Sequence, residues 1–116
     1  MRRLPLVLLL LASCGSPPRA TPTADEERIL RPIPDATDDV RRLVDRGDAL
    51  FLQALVPHRQ SDVPAALELY SKARASYLEA QTHYPSLTPV PSALLDRVRE
   101  CVTRIAALQR QRHASP

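Results

Sequence analysis

The chain has 116 residues, which is enough for one small domain. Its formal net charge is +3 at pH 7, but subtracting Arg2 and Arg3, which lie in a segment that we expect to be removed, leaves only +1. No basic cluster with interleaved aromatic residues is present, which argues against a nucleic-acid partner. With two glycines in all, the chain has no Gly-rich phosphate loop, and neither a G-x-S-x-G motif nor a Cys–His pairing is present. We therefore expect a protein that is not an enzyme.

The N-terminus combines a short basic segment with an apolar run from Leu4 to Ala12. That run is shorter than the roughly 20 residues of a membrane-spanning helix, and its flanks are typical of a signal peptide. The stretch that follows, Leu11-Ala12-Ser13-Cys14, resembles the lipobox of bacterial lipoproteins. The resemblance implies that residues 1–13 are a signal peptide and that cleavage falls between Ser13 and Cys14. It also implies diacylglycerol on the Cys14 thiol and an acyl chain on the new amino group, with no other cofactor.

The resemblance also implies a location. Two or three acyl chains hold a protein stably at a membrane, whereas one holds it only marginally. Lipoproteins with aspartate after the cysteine tend to stay at the inner membrane, and this chain has Gly15 there. The resemblance therefore favours a lipid anchor in the outer membrane, facing the periplasm. If Cys14 carries lipid, Cys101 has no partner for an intramolecular disulfide.

A linker is predicted between the anchor and the folded domain, over residues 14–35. This segment contains five prolines, which favour extended conformations and disorder. About 20 such residues at roughly 3.1 Å each allow a reach of ~60 Å from the bilayer. Ile29, Leu30 and Ile33 are its apolar residues, and they either pack on the domain or form a short docking peptide.

The first predicted helix of the domain spans residues 38–56. Asp35 or Thr37 can cap it, and Pro57 is expected to end it. Apolar residues recur at steps of three and four and define one buried face, whereas the charged residues, Asp48 among them, are assigned to other faces. Gly47 lies on the buried face, where we expect the close approach of a neighbouring backbone.

The second predicted helix spans residues 63–84, with Ser61 or Asp62 as its cap and Pro64 in its first turn. Small and large residues alternate along one seam. The seam consists of Ala66, Tyr70, Ala73, Tyr77, Ala80 and Tyr84. Its tyrosines either pack in the core or, most plausibly at Tyr84, face a groove that receives a peptide.

The third predicted helix spans residues 91–112, within a domain of residues 36–113 and before a tail of residues 114–116. Its apolar stripe includes Cys101, which we therefore predict to be a buried hydrophobic residue rather than a reactive thiol. Several arginines make this helix basic, and late arginines suit the negative end of a helix. The predicted fold is all-α, and it is either a three-helix bundle or a single helical pair with a third packing helix.

The first two helices resemble one degenerate tetratricopeptide repeat. Leu43, Gly47 and Leu50 match the pattern of the first repeat helix, and Ala66-x₃-Tyr70 with Ala73 matches the second. Arg46 stands where the family has leucine, and the loop that contains His58 is longer than in the family. The resemblance implies a tetratricopeptide-like domain that binds proteins, in the manner of pilotin-like lipoproteins or accessories of outer-membrane assembly machines.

No metal site is predicted, because the three histidines are dispersed along the chain. We expect an apolar patch between the first two helices or on the second, because so small a core cannot cover every leucine. Our hypothesis is a non-enzymatic adaptor that binds another envelope protein. The candidate contact residues are Tyr77, Leu78, Tyr84, Arg97 and Arg104. The alternative is a structural envelope lipoprotein that self-associates, and a third possibility is a small-molecule binder with a cavity lined by the tyrosines.

Overall fold

A computed structural model describes residues 17–114, and over this range the protein is all-α. Four helices follow in order: α1 at Ala24–Ile29, α2 at Asp38–Arg59, α3 at Val63–Gln81 and α4 at Ser92–Ala114. The prediction of a helical bundle is confirmed.

The N-terminal ends of α2 and α3 are fixed by local side chains. The Thr37 hydroxyl accepts a hydrogen bond from the amide of Val40 and caps α2, and the Asp62 carboxylate accepts one from Ala65 and caps α3. Pro64 lies in the first turn of α3, where its missing N–H leaves no carbonyl unpaired. Both helices therefore begin at a capping side chain, and α3 has a proline in its first turn as well.

The prediction that Pro57 ends the first helix is wrong, because α2 continues to Arg59. A proline inside a helix removes one backbone hydrogen bond and costs about 3 kcal/mol in a helix interior. Here it lies in the last turn, and the two residues after it make tertiary contacts. His58 bonds to the hydroxyl of Tyr70, and Arg59 bonds to Glu26. These contacts offset the lost bond.

At the other boundaries the observed helices differ from the prediction by a few residues. Helix α3 ends at Gln81, three residues early, and Tyr84 lies in the following turn. The ring of Pro85 disfavours helical backbone at Tyr84, which explains the early end. Helix α4 runs from Ser92 to Ala114 and thus extends two residues beyond the predicted end.

Helix α3 is the central element, since its backbone packs closely against both α2 and α4. Its predicted seam is buried as far as Ala80, whereas Tyr84 is only half-buried. Cys101 is fully buried on α4, as predicted. Between α2 and α4 the contacts are made by long side chains: Arg97 reaches Asp48, and the guanidinium of Arg104 lies 5.0 Å from the centre of the Phe51 ring.

Gly47 admits the ring of Tyr77 rather than a neighbouring backbone, which corrects the prediction. A Cβ atom built on Gly47 would lie 2.7 Å from Cδ1 of Tyr77 and closer still to Cε1. Real Cβ atoms do not approach other atoms so closely. The glycine therefore allows the aromatic ring of α3 to lie flat against the backbone of α2.

The prediction of a disordered linker over residues 14–35 is wrong for much of its length. Residues 17–36, here called the N-terminal arm, contain helix α1 and pack on the bundle. The amide of Ala20 donates to the carbonyl of Leu52 on α2 at 3.2 Å, and Arg31 pairs with Asp96 on α4 at 2.9 Å. Leu30 and Ile33 pack against the core, so of the two possible roles for the apolar residues the packed one is observed.

Candidate functional site

The predicted lipidation and cleavage residues, Ser13 and Cys14, lie outside the described part of the chain. The five predicted contact residues are all described, and they lie in different environments.

Two of the five, Tyr77 and Arg97, are buried, so their assignment as partner contacts is wrong. The Tyr77 hydroxyl donates to Oδ1 of Asp48 at 2.6 Å, and the side chain of Arg97 is only 2% exposed. Arg97 donates to both carboxylate oxygens of Asp48, from Nε at 2.8 Å and from Nη2 at 3.1 Å. Burial, the charge of Asp48 and its hydrogen bond raise the pKa of Tyr77 well above the ordinary value for tyrosine. Arg97 and Asp48 therefore form a structural ion pair inside the bundle, and Tyr77 donates a hydrogen bond to it.

Leu78 and Tyr84 are more accessible. Leu78 is 37% exposed on the outer side of α3. Tyr84 is half-buried and packs against the core, and its hydroxyl oxygen is buried. Among residues 17–114, this is the buried side-chain oxygen that lacks a hydrogen-bond partner. The tyrosines do not surround a cavity for a small molecule, since Tyr70 and Tyr77 are close-packed in the core.

Arg104, the fifth residue, is the centre of a polar cluster that joins all four helices. Its Nε donates to Glu100 at 2.6 Å, its Nη1 to the Tyr70 hydroxyl at 3.1 Å, and its Nη2 pairs with Glu26 of α1 at 3.2 Å. Although burial opposes its charge, the hydrogen bonds to Glu100 and Tyr70 raise the pKa of Arg104. Arg104 therefore positions neighbouring side chains and has little free surface of its own.

The same cluster fixes the protonation of His58. Nδ1 of His58 lies 2.6 Å from the Tyr70 hydroxyl. That hydroxyl accepts from Arg104 and has its own proton to donate, and a hydrogen bond from it to Nδ1 requires the imidazole proton to be on Nε2. Burial and the positive charges of Arg104 and Arg59 lower the pKa of His58, so the ring is neutral at pH 7.

Glu26 is the buried residue of α1, and the sequence analysis did not identify it. Arg59 donates to its Oε1 at 3.0 Å, and the same oxygen accepts from the amide of Thr23 at 2.9 Å in a capping box. Burial alone would raise the pKa of Glu26, but the Thr23 amide and the charges of Arg104 and Arg59 outweigh it and lower that pKa. The sequence signal was present, because Thr23-x-x-Glu26 is a capping-box pattern.

A shallow groove of about 530 Å³ runs between the outer faces of α2 and α3. Leu50 and Ala75 form part of its floor, and Arg46, Lys72 and Glu79 are charged residues on its sides. The groove is therefore amphipathic.

The predicted apolar patch is only partly found. Leu67 and Leu69 of α3 are half-buried against the core. The exposed large apolar side chains of the described residues are Leu78, Leu95, Val102 and, at 98% exposure, Leu87. Leu87 lies in the turn that joins α3 to α4, and Leu78 and Leu95 lie on the two helices near that turn. The exposed apolar side chains thus lie on α3, on α4 and in the turn that joins them.

Within residues 17–114, no group of three or more His, Cys, Asp or Glu side chains is placed to hold a metal ion. No helix of that range is both long and apolar enough to cross a membrane. Burial raises the pKa of the Cys101 thiol to about 12, which leaves it protonated at neutral pH. The described side chains include an arginine pair that holds a carboxylate, a groove between α2 and α3, and exposed leucines.

No protein-family model, curated protein or solved structure matches this chain.

Proposed function

We propose that this chain is a bacterial lipoprotein, anchored through lipid on Cys14, that acts as a non-enzymatic adaptor for another protein of the cell envelope. The observation that carries the proposal is the N-terminal sequence: Arg2 and Arg3, an apolar run, and the lipobox-like Leu11-Ala12-Ser13-Cys14. The lipid concentrates the domain at a membrane surface, most plausibly the outer membrane facing the periplasm, where a second binding event becomes effectively intramolecular.

The protein-binding half of the proposal is supported by surface side chains near the turn between α3 and α4. Leu87 is almost fully exposed between Pro85 and Pro89, so its ordering on the surface contributes nothing to the core. Exposed large apolar side chains at one place on a small domain are typical of interaction sites. Leu78 and Leu95 are further exposed apolar side chains on α3 and α4, the two helices that this turn joins. The tetratricopeptide-like pattern of the first two predicted helices supports the same role by resemblance.

The alternative is a structural envelope lipoprotein that self-associates. It is favoured by Leu95 and Val102, which are exposed on α4 seven residues apart and so lie on one face of that helix. Such a stripe suits a symmetric helix–helix contact between two copies. A dimer that depends on protein concentration and is lost in a Val102→Ser variant would favour this alternative.

The adaptor proposal is tested by purifying tagged full-length protein from cross-linked membranes, beside Cys14→Ser and Leu87→Ser variants. We expect one envelope protein to be recovered in defined stoichiometry with the wild type, less of it with Leu87→Ser, and loss of membrane residence with Cys14→Ser. A matched control is Thr88→Ser, which changes an exposed neighbour in the same turn. Recovery of the protein alone would favour self-association, and unchanged fractionation of Cys14→Ser would contradict the lipid anchor.

A further inference from the structure

The N-terminal arm is held on the bundle by a buried carboxylate in its helix, in addition to the apolar contacts of Leu30 and Ile33 with the core. Glu26 is the buried residue of α1, while its neighbours Asp25, Glu27 and Arg28 are exposed. Isolated helices shorter than about 12 residues are marginal in water, and α1 has six residues. Helix α1 therefore depends on its contacts with the bundle, and the charged ones are made by Arg59 and Arg104.

The receptor for this carboxylate is built from α2, α3 and α4 alone. Arg59 of α2 binds one oxygen of Glu26 at 3.0 Å, and Arg104 of α4 binds the other at 3.2 Å. Arg104 is held in place without Glu26, because Glu100 binds its Nε and Tyr70 binds its Nη1. Its guanidinium also lies over the ring of Phe51. If α1 leaves, Arg104 keeps its ion pair with Glu100 and its place over the Phe51 ring, while Arg59 loses the carboxylate that it binds.

The connection between the arm and α2 allows the arm to leave without unfolding the bundle. This segment lacks helical structure from Arg31 to Thr37 and makes a turn at Pro34 and Asp35, where Asp35 adopts a left-handed backbone with φ of 54°. Helix α2 then begins with its own cap at Thr37, which involves no atom of α1. The arm thus joins the domain through a hinge, beyond which α2 is independently capped.

We propose that the Arg59–Arg104 pair is a binding site for a glutamate-bearing helical turn of a partner protein, and that α1 is the internal occupant which this partner displaces. The ligand is inferred from charge complementarity. Arg59 and Arg104 come from separate helices and each binds one oxygen of the same carboxylate, which here belongs to the first turn of a helix. This inference deepens the adaptor proposal and rests on its protein-binding half, and it does not depend on the lipid.

The exchange also changes the distance between domain and anchor. With the arm docked, Ala20 lies six positions after Cys14, and the chain between them spans at most about 20 Å. With the arm released, the first fixed residue is Thr37, 23 positions after Cys14, which corresponds to about 70 Å in an extended proline-rich chain. Binding of a partner at Arg59 and Arg104 therefore frees the domain to move farther from the membrane.

The test uses the arm itself as a probe. A fluorescent peptide of residues 17–31 is titrated against the mature full chain carrying Glu26→Gln, with anisotropy as the readout. In the wild type the tethered arm competes at an effective concentration of about millimolar, so the free peptide is excluded. We expect the peptide to bind the Glu26→Gln protein at least about tenfold more tightly than the wild type or a Glu27→Gln control, whose substituted residue is exposed.

Two further variants test the site. A peptide with Gln in place of Glu26, and the Glu26→Gln protein with an added Arg59→Gln, should each lower the affinity at least about tenfold. Arg59 is 44% exposed, so its replacement should not unfold the bundle. Equal binding to wild type and Glu26→Gln, equal binding of the two peptides, or no saturable binding to the Glu26→Gln protein would each overturn the proposal.

Hydrogen exchange of the wild-type chain keeps the test open should the Glu26→Gln variant fail to fold. We expect the amides of Ala24–Ile29 to exchange at least about tenfold faster than those of α3, since a displaceable arm opens without the core. Equal protection would mean that the arm opens only with global unfolding, which would overturn the proposal. Neither readout involves Cys14. A negative result in these experiments would therefore say nothing about the lipid anchor, and a negative result for the anchor would say nothing about this binding site.

Discussion

The guanidinium of Arg97 donates two hydrogen bonds to the carboxylate of Asp48, from Nε at 2.8 Å and from Nη2 at 3.1 Å, and this pair joins α4 to α2 inside the bundle. The same carboxylate accepts the hydroxyl of Tyr77 from α3 at 2.6 Å. One acidic side chain therefore fixes the relative positions of the three long helices.

Removal of Arg97 alone should destabilise the domain strongly. Arg97→Met leaves the carboxylate of Asp48 without its ionic partner, and breaking a buried pair in this way costs about 3–5 kcal/mol. The double variant Asp48→Leu with Arg97→Met should recover part of that loss, because no charge is then left unpaired although the buried Tyr77 hydroxyl loses its acceptor. Urea unfolding followed by circular dichroism measures both, with Arg99→Met on the exposed side of α4 as the control. A double variant no more stable than Arg97→Met would contradict this explanation.

Gly47→Ala should also destabilise the protein, although alanine favours helix formation by about 1 kcal/mol over glycine. The new methyl group would overlap the Tyr77 ring, which is held by its hydrogen bond to Asp48 and cannot move freely. Overpacking of this kind costs about 1–3 kcal/mol, so we expect a net loss. Asp45→Ala, on the exposed side of the same helix, is the control. A midpoint of thermal unfolding higher for Gly47→Ala than for the wild type would show that the ring does move.

The positions of the three long helices could be predicted from the sequence because their signals are local and strong. Thr37 and Asp62 precede runs with apolar residues at steps of three and four, and both do cap helices. The buried stripe that contains Tyr70 and Tyr77 follows from the same periodicity. The same periodicity predicts that Gly47 lies on the buried face. That the Tyr77 ring packs on it depends on how α2 and α3 pack together, which the sequence does not show.

The ion pair and the docked arm were missed for different reasons. Arg97 lies three residues after Leu94 and four before Cys101, and thus in register with the buried stripe, but a charged residue is normally assigned to the surface. Its partner Asp48 lies on another helix, and the sequence gives no sign that the two meet. Helix α1 has too few residues to show a period, and its prolines favoured a linker. Its capping box was the local signal, while its attachment to Arg59 and Arg104 is wholly tertiary.

Acid should lower the unfolding free energy of the domain in two separate pH ranges. The pKa of His58 is lowered in the folded protein, so the unfolded chain binds a proton first and stability falls as the pH drops below about 6.5. The pKa of Glu26 is also lowered, so its contribution is present above about pH 4.3 and is lost as the pH falls through the lowered pKa.

Single substitutions should separate the two ranges. His58→Gln should remove the pH dependence of the unfolding free energy that begins below about pH 6.5, and Glu26→Gln should remove the part below about pH 4.3. Both are measured by urea unfolding across this pH range, with His83→Gln as the exposed control. A loss of stability at pH 5.5 that persists in His58→Gln would assign the upper range to another group.

The Cys101 thiol should be unreactive in the folded protein. The thiol is fully buried, so a reagent cannot reach it. Its pKa is raised to about 12, so almost none of the reactive thiolate is present at neutral pH. In a Cys14→Ser protein, labelling by a thiol reagent should be negligible at pH 8 and should become complete in denaturing urea. Labelling at similar rates under the two conditions would mean that α4 opens readily, and that Cys101 is not the inert core residue described above.

Leu87→Ser should leave the stability unchanged to within about 0.5 kcal/mol, because the side chain is 98% exposed and substitutions at such positions have little effect on folding. Leu94→Ser, on the buried face of α4, is the contrasting variant and should cost several-fold more. Urea unfolding compares them. A Leu87→Ser protein destabilised as much as Leu94→Ser would mean that this leucine packs in solution and is not an accessible contact.

The most direct test of the proposed lipoprotein is the mass of its N-terminal peptide after expression of the full-length chain in a bacterium with an outer membrane. The proposal predicts a mature chain that begins at Cys14 and is heavier than its sequence by a diacylglycerol group and an N-acyl chain, with neither addition in the Cys14→Ser variant. A chain that still begins at Met1, or one cleaved to an unmodified Cys14, would contradict the lipid anchor on which the proposed function depends.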